Sequence, residues 1–177
     1  MRNSECEISW VVFRGPFGWI GVAATEQGIC SVVLPKKDNS AVLRELGYEA
    51  ADVSSGPAVS PALAKAVKLL KRYFAGESVS FDVPLDLRYY TPFQQAVWKA
   101  AAAIPAGETR PYAWIAKRIR NPKAARAVGQ ALGANPMPII IPCHRVISAA
   151  GTLGGYSGGF GMKKKLLELE AHANIHH

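Results

Sequence analysis

Pro138-Ile139-Ile140-Ile141-Pro142-Cys143-His144-Arg145-Val146 is the stretch around which the chain is organised. Three β-branched residues between two prolines predict a short, buried, extended segment, and Pro142 sets the direction of the chain before Cys143. Neighbouring side chains of an extended segment point to opposite faces, so His144 needs a bend or a bridging water to act on Cys143. A cysteine reacts as its thiolate, which a nearby histidine or arginine promotes. The pair is a candidate nucleophile and base; the alternative is an inert, buried cysteine beside a surface histidine.

Three short helices are predicted upstream of this stretch. Thr91-Pro92 combines an N-cap with a proline and begins the first helix, over residues 93–103. The second helix covers about residues 111–118, and the third covers residues 123–132 after the capping pair Asn121-Pro122. Two short helices joined by a few residues outline a helix-turn-helix, although any helical hairpin gives the same outline.

The third of these helices has small side chains around a single arginine. Ala124, Ala125 and Ala127 surround Arg126, so this helix can approach another surface closely and Arg126 can project into it. An arginine inserted into the minor groove or the base stack is a known way to hold opened DNA. The alternative is a surface arginine paired with Glu108 or with a carboxylate elsewhere.

A glycine-rich segment and a last helix follow the cysteine. Residues 148–161 contain six glycines together with Tyr156 and Ser157, which favours a loop whose backbone approaches a ligand closely over a plain flexible linker. The last helix is predicted over residues 162–172. It begins with three lysines, which oppose the helix dipole and indicate a phosphate partner, and Glu170 near its end indicates a specific partner as well.

Residues 1–90 predict an α/β unit with a small antiparallel sheet. Strands are expected over residues 7–13, 19–23 and 29–34, separated by the turns at Gly15-Pro16 and Gly28. Ser40 is a candidate cap for a helix over residues 41–46, and Ser60-Pro61 begins a second helix after a loop over residues 50–59. Residues 80–85 are a candidate edge strand. No motif in this half indicates a reaction.

Charge divides the chain at the same point. Residues 1–90 carry ten Lys/Arg and ten Asp/Glu, whereas residues 91–177 carry eleven Lys/Arg and three Asp/Glu, so the whole net charge of +8 lies in the second half. A neutral scaffold over 1–90 and a basic domain over 91–177 indicate that the second half meets a polyanion, with a solubilising basic face as the alternative.

Composition limits the class of protein further. The 177 residues are 49% hydrophobic, enough for a packed core, and no apolar run approaches the roughly 20 residues of a membrane span. The N-terminus lacks the apolar core of a signal peptide. Three distant cysteines, Cys6, Cys30 and Cys143, favour free thiols in a reducing compartment such as the cytoplasm, with a Cys6–Cys30 bridge left open.

Several blocks together resemble the O6-alkylguanine-DNA alkyltransferases, over roughly residues 91–171. They are the residues 93–98 (FQQAVW), Tyr112, residues 121–129 (NPKAARAVG), Asn135-Pro136, residues 141–146 (IPCHRV), residues 155–159 (GYSGG) and residues 165–170 (KLLELE). The resemblance implies an α/β protein with a ribonuclease H-like N-terminal domain and a mostly helical, winged-helix-like C-terminal domain. It implies a monomer that binds double-stranded DNA in the minor groove, flips out an O6-alkylguanine and moves the alkyl group irreversibly to Cys143, without a cofactor.

The resemblance also implies roles for individual residues. Glu170 would polarise His144, which takes the proton of Cys143 through a water. Tyr112 would stabilise the leaving guanine, and Asn135 would tie the helix-turn-helix to the active-site segment. The base would be held by Tyr156 and Ser157 in a pocket lined by Pro138 and Val146, while Arg126 would fill the gap in the duplex and Lys123, Ala124 and Ala125 would contact DNA.

One feature departs from the pattern of some relatives. Some relatives hold a structural zinc ion in the N-terminal half, but residues 1–90 here contain no histidine, so no zinc site is predicted.

Two other functions remain open from the residues alone. A cysteine hydrolase would use Cys143 and His144 with an oxyanion hole and leave the helix-turn-helix unexplained. A DNA-binding module without chemistry would leave the cysteine idle.

Overall fold

The computed structural model describes residues 8–48, 59–156 and 158–173. The chain forms two compact units, one with residues 1–75 and 79–88 and the other with residues 76–78 and 89–177. Within the described residues, no helix has the length and apolar character needed to cross a membrane.

The first unit is built on an antiparallel sheet, as predicted. Its strands β1 (Ser9–Gly15), β2 (Gly18–Thr25) and β3 (Gly28–Lys36) follow one another in the order β1-β2-β3. The helices α1 (Asn39–Leu46) and α2 (Pro61–Phe74) pack against the sheet through their buried apolar faces. The predicted cap at Ser60 is confirmed, because its hydroxyl accepts a hydrogen bond from the backbone N–H of Leu63 at 3.2 Å.

Two local predictions for this unit are wrong. The cap of α1 is Asp38 rather than Ser40, because the Asp38 carboxylate accepts from the N–H of Ala41 at 2.7 Å. Residues 80–85 form no edge strand: only Leu85 makes an isolated bridge to Ile29. The pairing consists of two bonds, in which the Ile29 N–H donates to the Pro84 carbonyl at 2.9 Å and the Asp86 N–H donates to the Ile29 carbonyl at 2.8 Å. Pro84 has no N–H with which to extend it. The loop predicted over residues 50–59 lies, except for Val59, outside the described residues.

The second unit is mostly helical. It contains α3 (Pro92–Ala102), β4 (Arg110–Pro111), α4 (Tyr112–Arg118), α5 (Ala125–Gly133), a 3-10 turn (Cys143–Arg145), β5 (Val146–Ile147) and α6 (Gly159–Ala173). The predicted start of α3 is confirmed, because Thr91 and Gln94 form a capping box. The indole N–H of buried Trp98 donates to the Ala131 carbonyl at 2.8 Å and ties α3 to α5. The parallel pair β4 and β5 joins the start of α4 to the segment after the cysteine.

The helix-turn-helix is formed by α4 and α5, which pack directly against each other. The third predicted helix begins at Ala125 instead of Lys123, and Asn121 does not cap it with its side chain. Asn121 precedes a proline and is therefore disfavoured in helical conformation, so residues 121–124 form a turn in which the Ala124 N–H donates to the Asn121 carbonyl at 3.0 Å.

Arg120 in this connection has a left-handed backbone, with φ of 59°. A non-glycine residue there costs about 1–2 kcal/mol, and the position just after a helix is the one where glycine is usual. We therefore expect Arg120→Gly to raise the free energy of unfolding by about 0.5–1 kcal/mol, measured by urea denaturation. The matched control is Lys117→Gly, inside α4, which should lower it by about 0.8–1 kcal/mol. Equal losses in both variants would contradict the strain argument.

Candidate active site

The segment before the cysteine is buried but not extended, so the predicted extended conformation is wrong. Ile139 has φ of 76°, a rare conformation for a β-branched residue, and the Ile141 N–H donates to the Met137 carbonyl at 2.9 Å, which closes a turn. Pro138 and Pro142 have no N–H, so a sheet ladder has few donors here. A strained, buried turn of this kind is typical of functional sites.

The chain bends again at the cysteine itself. Cys143, His144 and Arg145 form a 3-10 turn in which the Arg145 N–H donates to the Pro142 carbonyl at 3.0 Å. This turn supplies the bend that the sequence requires between Cys143 and His144. All three side chains are buried.

Asn135 joins the end of α5 to this turn. Its side-chain amide donates to the Ile141 carbonyl at 2.9 Å and to the Cys143 Sγ at 3.1 Å, while its oxygen accepts from the Met137 N–H at 2.9 Å. One side chain therefore holds both sides of the strained turn and gives the sulfur a hydrogen-bond donor, which stabilises a thiolate.

Glu170 on α6 forms hydrogen bonds with both residues that follow the cysteine. Its Oε1 lies 2.7 Å from His144 Nε2, and Arg145 donates Nε to Oε2 and Nη2 to Oε1, each at 2.9 Å. The Gly107 N–H donates to Oε2 at 3.1 Å, and Arg145 Nη1 donates to the Ile104 carbonyl at 2.6 Å. This buried cluster explains why a carboxylate stands near the end of α6.

The charge state of Glu170 fixes the tautomer of His144. Burial would raise the pKa of Glu170, but the hydrogen bonds from His144 and Arg145 outweigh it and hold that pKa well below its usual range. An ionised carboxylate can only accept, so His144 Nε2 carries the hydrogen and Nδ1 is the basic nitrogen. Burial lowers the pKa of His144 despite the opposing effect of Glu170, so the ring is neutral near pH 7.

The thiol of Cys143 is buried, and its surroundings partly offset the cost of ionising it. Burial raises the pKa of Cys143, while the Asn135 hydrogen bond, the positive charge of Lys163 and the Tyr156 hydroxyl all act to lower it. The resting thiol is therefore protonated near pH 7, and a base must remove its proton during the reaction.

Lys163 is a component of the site that the sequence interpretation missed. It is fully buried on α6, where its ammonium donates to the Val146 carbonyl at 2.6 Å and lies 6.0 Å from the centre of the Tyr156 ring. No described carboxylate lies within salt-bridge distance of it. The proposed phosphate contact is thus wrong for Lys163, and α6 begins at Gly159, so the lysines stand in its second turn. The spacing of Lys163, Leu166 and Glu170 along one helix face could have indicated its burial.

A pocket of about 380 Å³ opens above the thiol. Its walls contain two tyrosines and several glycines, a combination that leaves room for a flat aromatic ring. Gly154 has φ of 62°, and a side chain added there would come within 3.2 Å of the Tyr112 hydroxyl. The lining residues are Tyr112, Gly129, Leu132, Gly133, Cys143, Gly155 and Tyr156.

Both tyrosines at the pocket keep their protons. Burial, followed by the nearby Cys143, raises the pKa of Tyr112 and of Tyr156. Each hydroxyl is therefore a hydrogen-bond donor at neutral pH, suited to an oxygen or ring nitrogen on which negative charge develops.

The remaining predicted residues lie in different places. Pro138 and Val146 are buried and are not among the lining residues, and Ser157 lies outside the described residues. On α5 and its preceding turn, Arg126 and Lys123 are exposed while Ala124 and Ala125 are half-buried. Glu108 is paired with Arg110, so the alternative pairing of Arg126 with Glu108 is not found.

The second unit combines a helix-turn-helix with a pocket in which Cys143 is the one lining thiol among the described residues, and the residue next to Cys143 belongs to a buried His–Glu pair. These are features of the class of DNA-binding proteins that have a reactive cysteine. Two family models match this chain. The 6-O-methylguanine DNA methyltransferase DNA-binding domain matches residues 92–172, and the ribonuclease-like domain of the same family matches residues 8–87. The chain belongs to the 6-O-methylguanine DNA methyltransferase family, which confirms the resemblance inferred from the motifs.

Individual relatives agree with this assignment. A methylated-DNA–protein-cysteine methyltransferase of Mycobacterium tuberculosis (strain H37Rv) is 61% identical over 109 residues, which are 62% of this chain and 66% of that protein. One from Methanosarcina acetivorans is 43% identical over 161 residues, 91% of this chain and 97% of that protein. Their names describe methyl transfer from methylated DNA to a protein cysteine.

Solved structures confirm the fold. Mycobacterium tuberculosis OGT in complex with DNA matches with a TM-score of 0.75 and 43% identity over 93% of both chains. The O6-methylguanine-DNA methyltransferase of Pyrococcus kodakaraensis matches with a TM-score of 0.68 and 26% identity, over 92% of this chain and 98% of that one. The predicted α/β scaffold with a helical second part is therefore correct.

Proposed function

We propose that this protein repairs DNA by moving the alkyl group of an O6-alkylguanine onto Cys143, once per molecule and without a cofactor. The observation that supports this most directly is the position of Cys143 Sγ in the wall of an aromatic-lined pocket, 3.1 Å from the Asn135 amide, with the His144–Glu170 pair beside it. The partner is double-stranded DNA, and the protein works in the cytoplasm, at the nucleoid if the cell is a prokaryote. O4-alkylthymine is a second candidate substrate of the same chemistry.

The first step is removal of the thiol proton. His144 Nδ1 receives the proton of Cys143 through a bridging water, and Glu170 stabilises the imidazolium that forms, since its hydrogen bond holds Nε2. The thiolate is stabilised by the Asn135 amide and by the buried positive charge of Lys163, which has a neutral carbonyl as its only hydrogen-bond partner among the described residues. This arrangement offsets part of the burial cost when the anion forms.

The second step breaks the bond between the alkyl carbon and guanine O6. The sulfur forms a new bond to that carbon, and the electron pair of the old bond goes to the guanine. The Tyr112 hydroxyl donates to the base and stabilises the developing charge, and the proton taken from the thiol returns to the guanine. The products are an unmodified guanine and a neutral thioether, which has no leaving group and cannot turn over.

The helix-turn-helix presents the DNA to this pocket. The wall of the pocket includes Gly129, Leu132 and Gly133 of α5, so the helix that carries Arg126 also borders the base. Arg126 is exposed near the start of α5 and fills the space that the flipped nucleotide leaves in the duplex. Entry from the minor groove suits a protein that reads damage, because that groove distinguishes sequences poorly.

The proposal is tested on the DNA. A duplex with one O6-methylguanine is mixed with protein at several ratios, and the nucleosides are analysed after digestion. We expect O6-methylguanine to become guanine in an amount equal to the active protein, with the sugar–phosphate chain and the glycosidic bond intact. Release of the base, or conversion of many lesions per protein molecule, would contradict direct transfer.

The pH at which the rate of transfer falls to half its maximum, on the acid side, should be lower than the ordinary pKa of histidine. His144 must be neutral to accept the proton, and burial lowers its pKa from the ordinary value of 6.5, while Glu170 stays ionised. The midpoint of the acid limb, which reports protonation of His144, therefore lies below pH 6.5. We expect single-turnover rates at saturating DNA to fall on the acid side with a midpoint below pH 6.5, with circular dichroism checking the fold at each pH. A midpoint at pH 6.5 or above would contradict a buried, neutral base.

A further inference from the structure

Trp114 on α4 has two guanidinium groups near its ring, one from Arg118 on the same helix and one from Arg110 on β4. The Arg118 Cζ lies 5.1 Å from the centre of the Trp114 ring, and the Arg110 Cζ lies 5.8 Å from it. Both distances are in the range of cation–π contacts. We call these three residues the Arg–Trp–Arg stack.

The stack is separate from the pocket. Trp114 follows Tyr112 by two residues, which on a helix turns its side chain by about 200° relative to Tyr112. Tyr112 lines the pocket, so the stack lies on another side of α4 and takes no part in the alkyl-transfer steps above.

The surroundings of the stack are strongly positive. Residues 109–133 contain six Lys/Arg and no Asp/Glu. Glu108 pairs with Arg110, whereas Arg118 is exposed and has no described carboxylate within salt-bridge distance. The Arg118 guanidinium is therefore the group of the stack whose charge is open to an anion, and Arg110 adds positive charge that Glu108 partly offsets.

The ring also prepares the arginines for such an anion. A free arginine side chain loses rotamer entropy when it is fixed, and contact with Trp114 limits that freedom before any ligand arrives. Ordered guanidinium groups match phosphate with paired hydrogen bonds. In a helix-turn-helix, the first helix crosses the DNA backbone while the second enters the groove.

We propose that the Arg–Trp–Arg stack is a second DNA contact, which binds backbone phosphates of the duplex outside the lesion. It rests on the proposed function, and it assigns to α4 a role in affinity that is independent of α5 and the pocket. Phosphate contacts carry no sequence information, so the stack acts equally on damaged and undamaged DNA. Arg118 makes the larger contribution, since Arg110 is shared with Glu108.

The test is the salt dependence of DNA binding. The dissociation constant is measured by fluorescence anisotropy from about 0.1 to 1 M salt for wild type, Arg118→Gln and Arg110→Gln/Arg118→Gln, on duplexes with and without O6-methylguanine. Each lost phosphate contact should reduce the slope of log K against log salt by about 0.9, which is about eightfold in affinity over that tenfold range. The matched control, Lys68→Gln on α2, should leave the slope unchanged.

Transfer at saturating DNA provides the second readout. Both variants should still transfer the methyl group at the wild-type rate once DNA is bound, because the stack lies away from Cys143. An unchanged slope in Arg118→Gln, with or without a lower melting temperature, would overturn the proposal and leave the stack as a stabiliser of α4. Failure of the wild-type protein to transfer methyl would instead refute the proposed function, and the slopes would still decide the DNA contact.

Discussion

Cys143→Ala should abolish methyl transfer completely. No other described thiol lines the pocket, and the reaction needs a polarizable nucleophile that can displace guanine from a saturated carbon. Cys143→Ser should be equally inactive, because a hydroxyl in this buried site is far harder to ionise than a thiol. The measurement is transfer of radioactive methyl from an O6-methylguanine duplex to protein over hours.

Binding should survive the loss of the sulfur. The surface of α5 and the tyrosine walls are unchanged in Cys143→Ala, so its affinity for the damaged duplex should remain within about threefold of wild type, a difference of about 0.6 kcal/mol. Cys30→Ala, in the first unit, is the matched control and should transfer methyl normally. Residual transfer in Cys143→Ala, or loss of transfer in Cys30→Ala, would place the acceptor elsewhere. If the wild-type protein turned over acyl substrates and Cys143→Ala lost that activity, the protein would instead be a hydrolase.

Glu170→Gln should have the second largest effect, on stability and on rate together. The buried carboxylate accepts hydrogen bonds from Arg145, His144 and the Gly107 N–H. Replacing it leaves the buried Arg145 charge uncompensated, which costs about 3–5 kcal/mol in comparable pairs. The neutral amide also stops fixing the His144 tautomer, and loss of general-base catalysis typically lowers rates by about 10²–10⁴-fold.

The two effects can be separated. Urea denaturation gives the stability loss, and single-turnover transfer at low temperature, where Glu170→Gln is still folded, gives the rate loss. Glu168→Gln is the matched control, because the Glu168 side chain is exposed on the same helix and, among the described residues, pairs only with Lys164, at 3.7 Å. It should change stability by less than about 0.5 kcal/mol and leave the rate unchanged. A Glu170→Gln rate close to wild type in the folded protein would refute the role of the His144–Glu170 pair.

Local interactions explain which parts of the fold could be predicted from sequence. Ser60-Pro61 and Thr91-Pro92 begin helices through bonds to residues three positions away, so a short window contains all the relevant information. The antiparallel strands have tight turns and close neighbours in sequence. The prediction of an extended segment at the three isoleucines is wrong for the opposite reason. The conformation of these residues depends on Asn135 and on Met137, and apolar character alone does not distinguish a buried turn from a strand.

The site was predictable to a similar extent. Cys143 and His144 were evident from their residue types, whereas their partners came from resemblance, because Glu170 lies 26 residues beyond His144 in sequence. Three adjacent lysines predict an exposed basic turn, which is wrong for Lys163. This residue shares the buried face of α6 with Leu166 and Glu170. Arg145 was not assigned a role because its contact with the Ile104 carbonyl spans 41 residues.

The most direct test of methyl transfer to Cys143 is the intact mass of the protein after reaction with a duplex that carries one O6-methylguanine, followed by peptide mapping. We expect a gain of one methyl group per molecule, located on the peptide that contains Cys143 and saturating there with excess DNA. An unchanged mass with damaged DNA still bound, or a methyl group on Cys6 or Cys30, would contradict it.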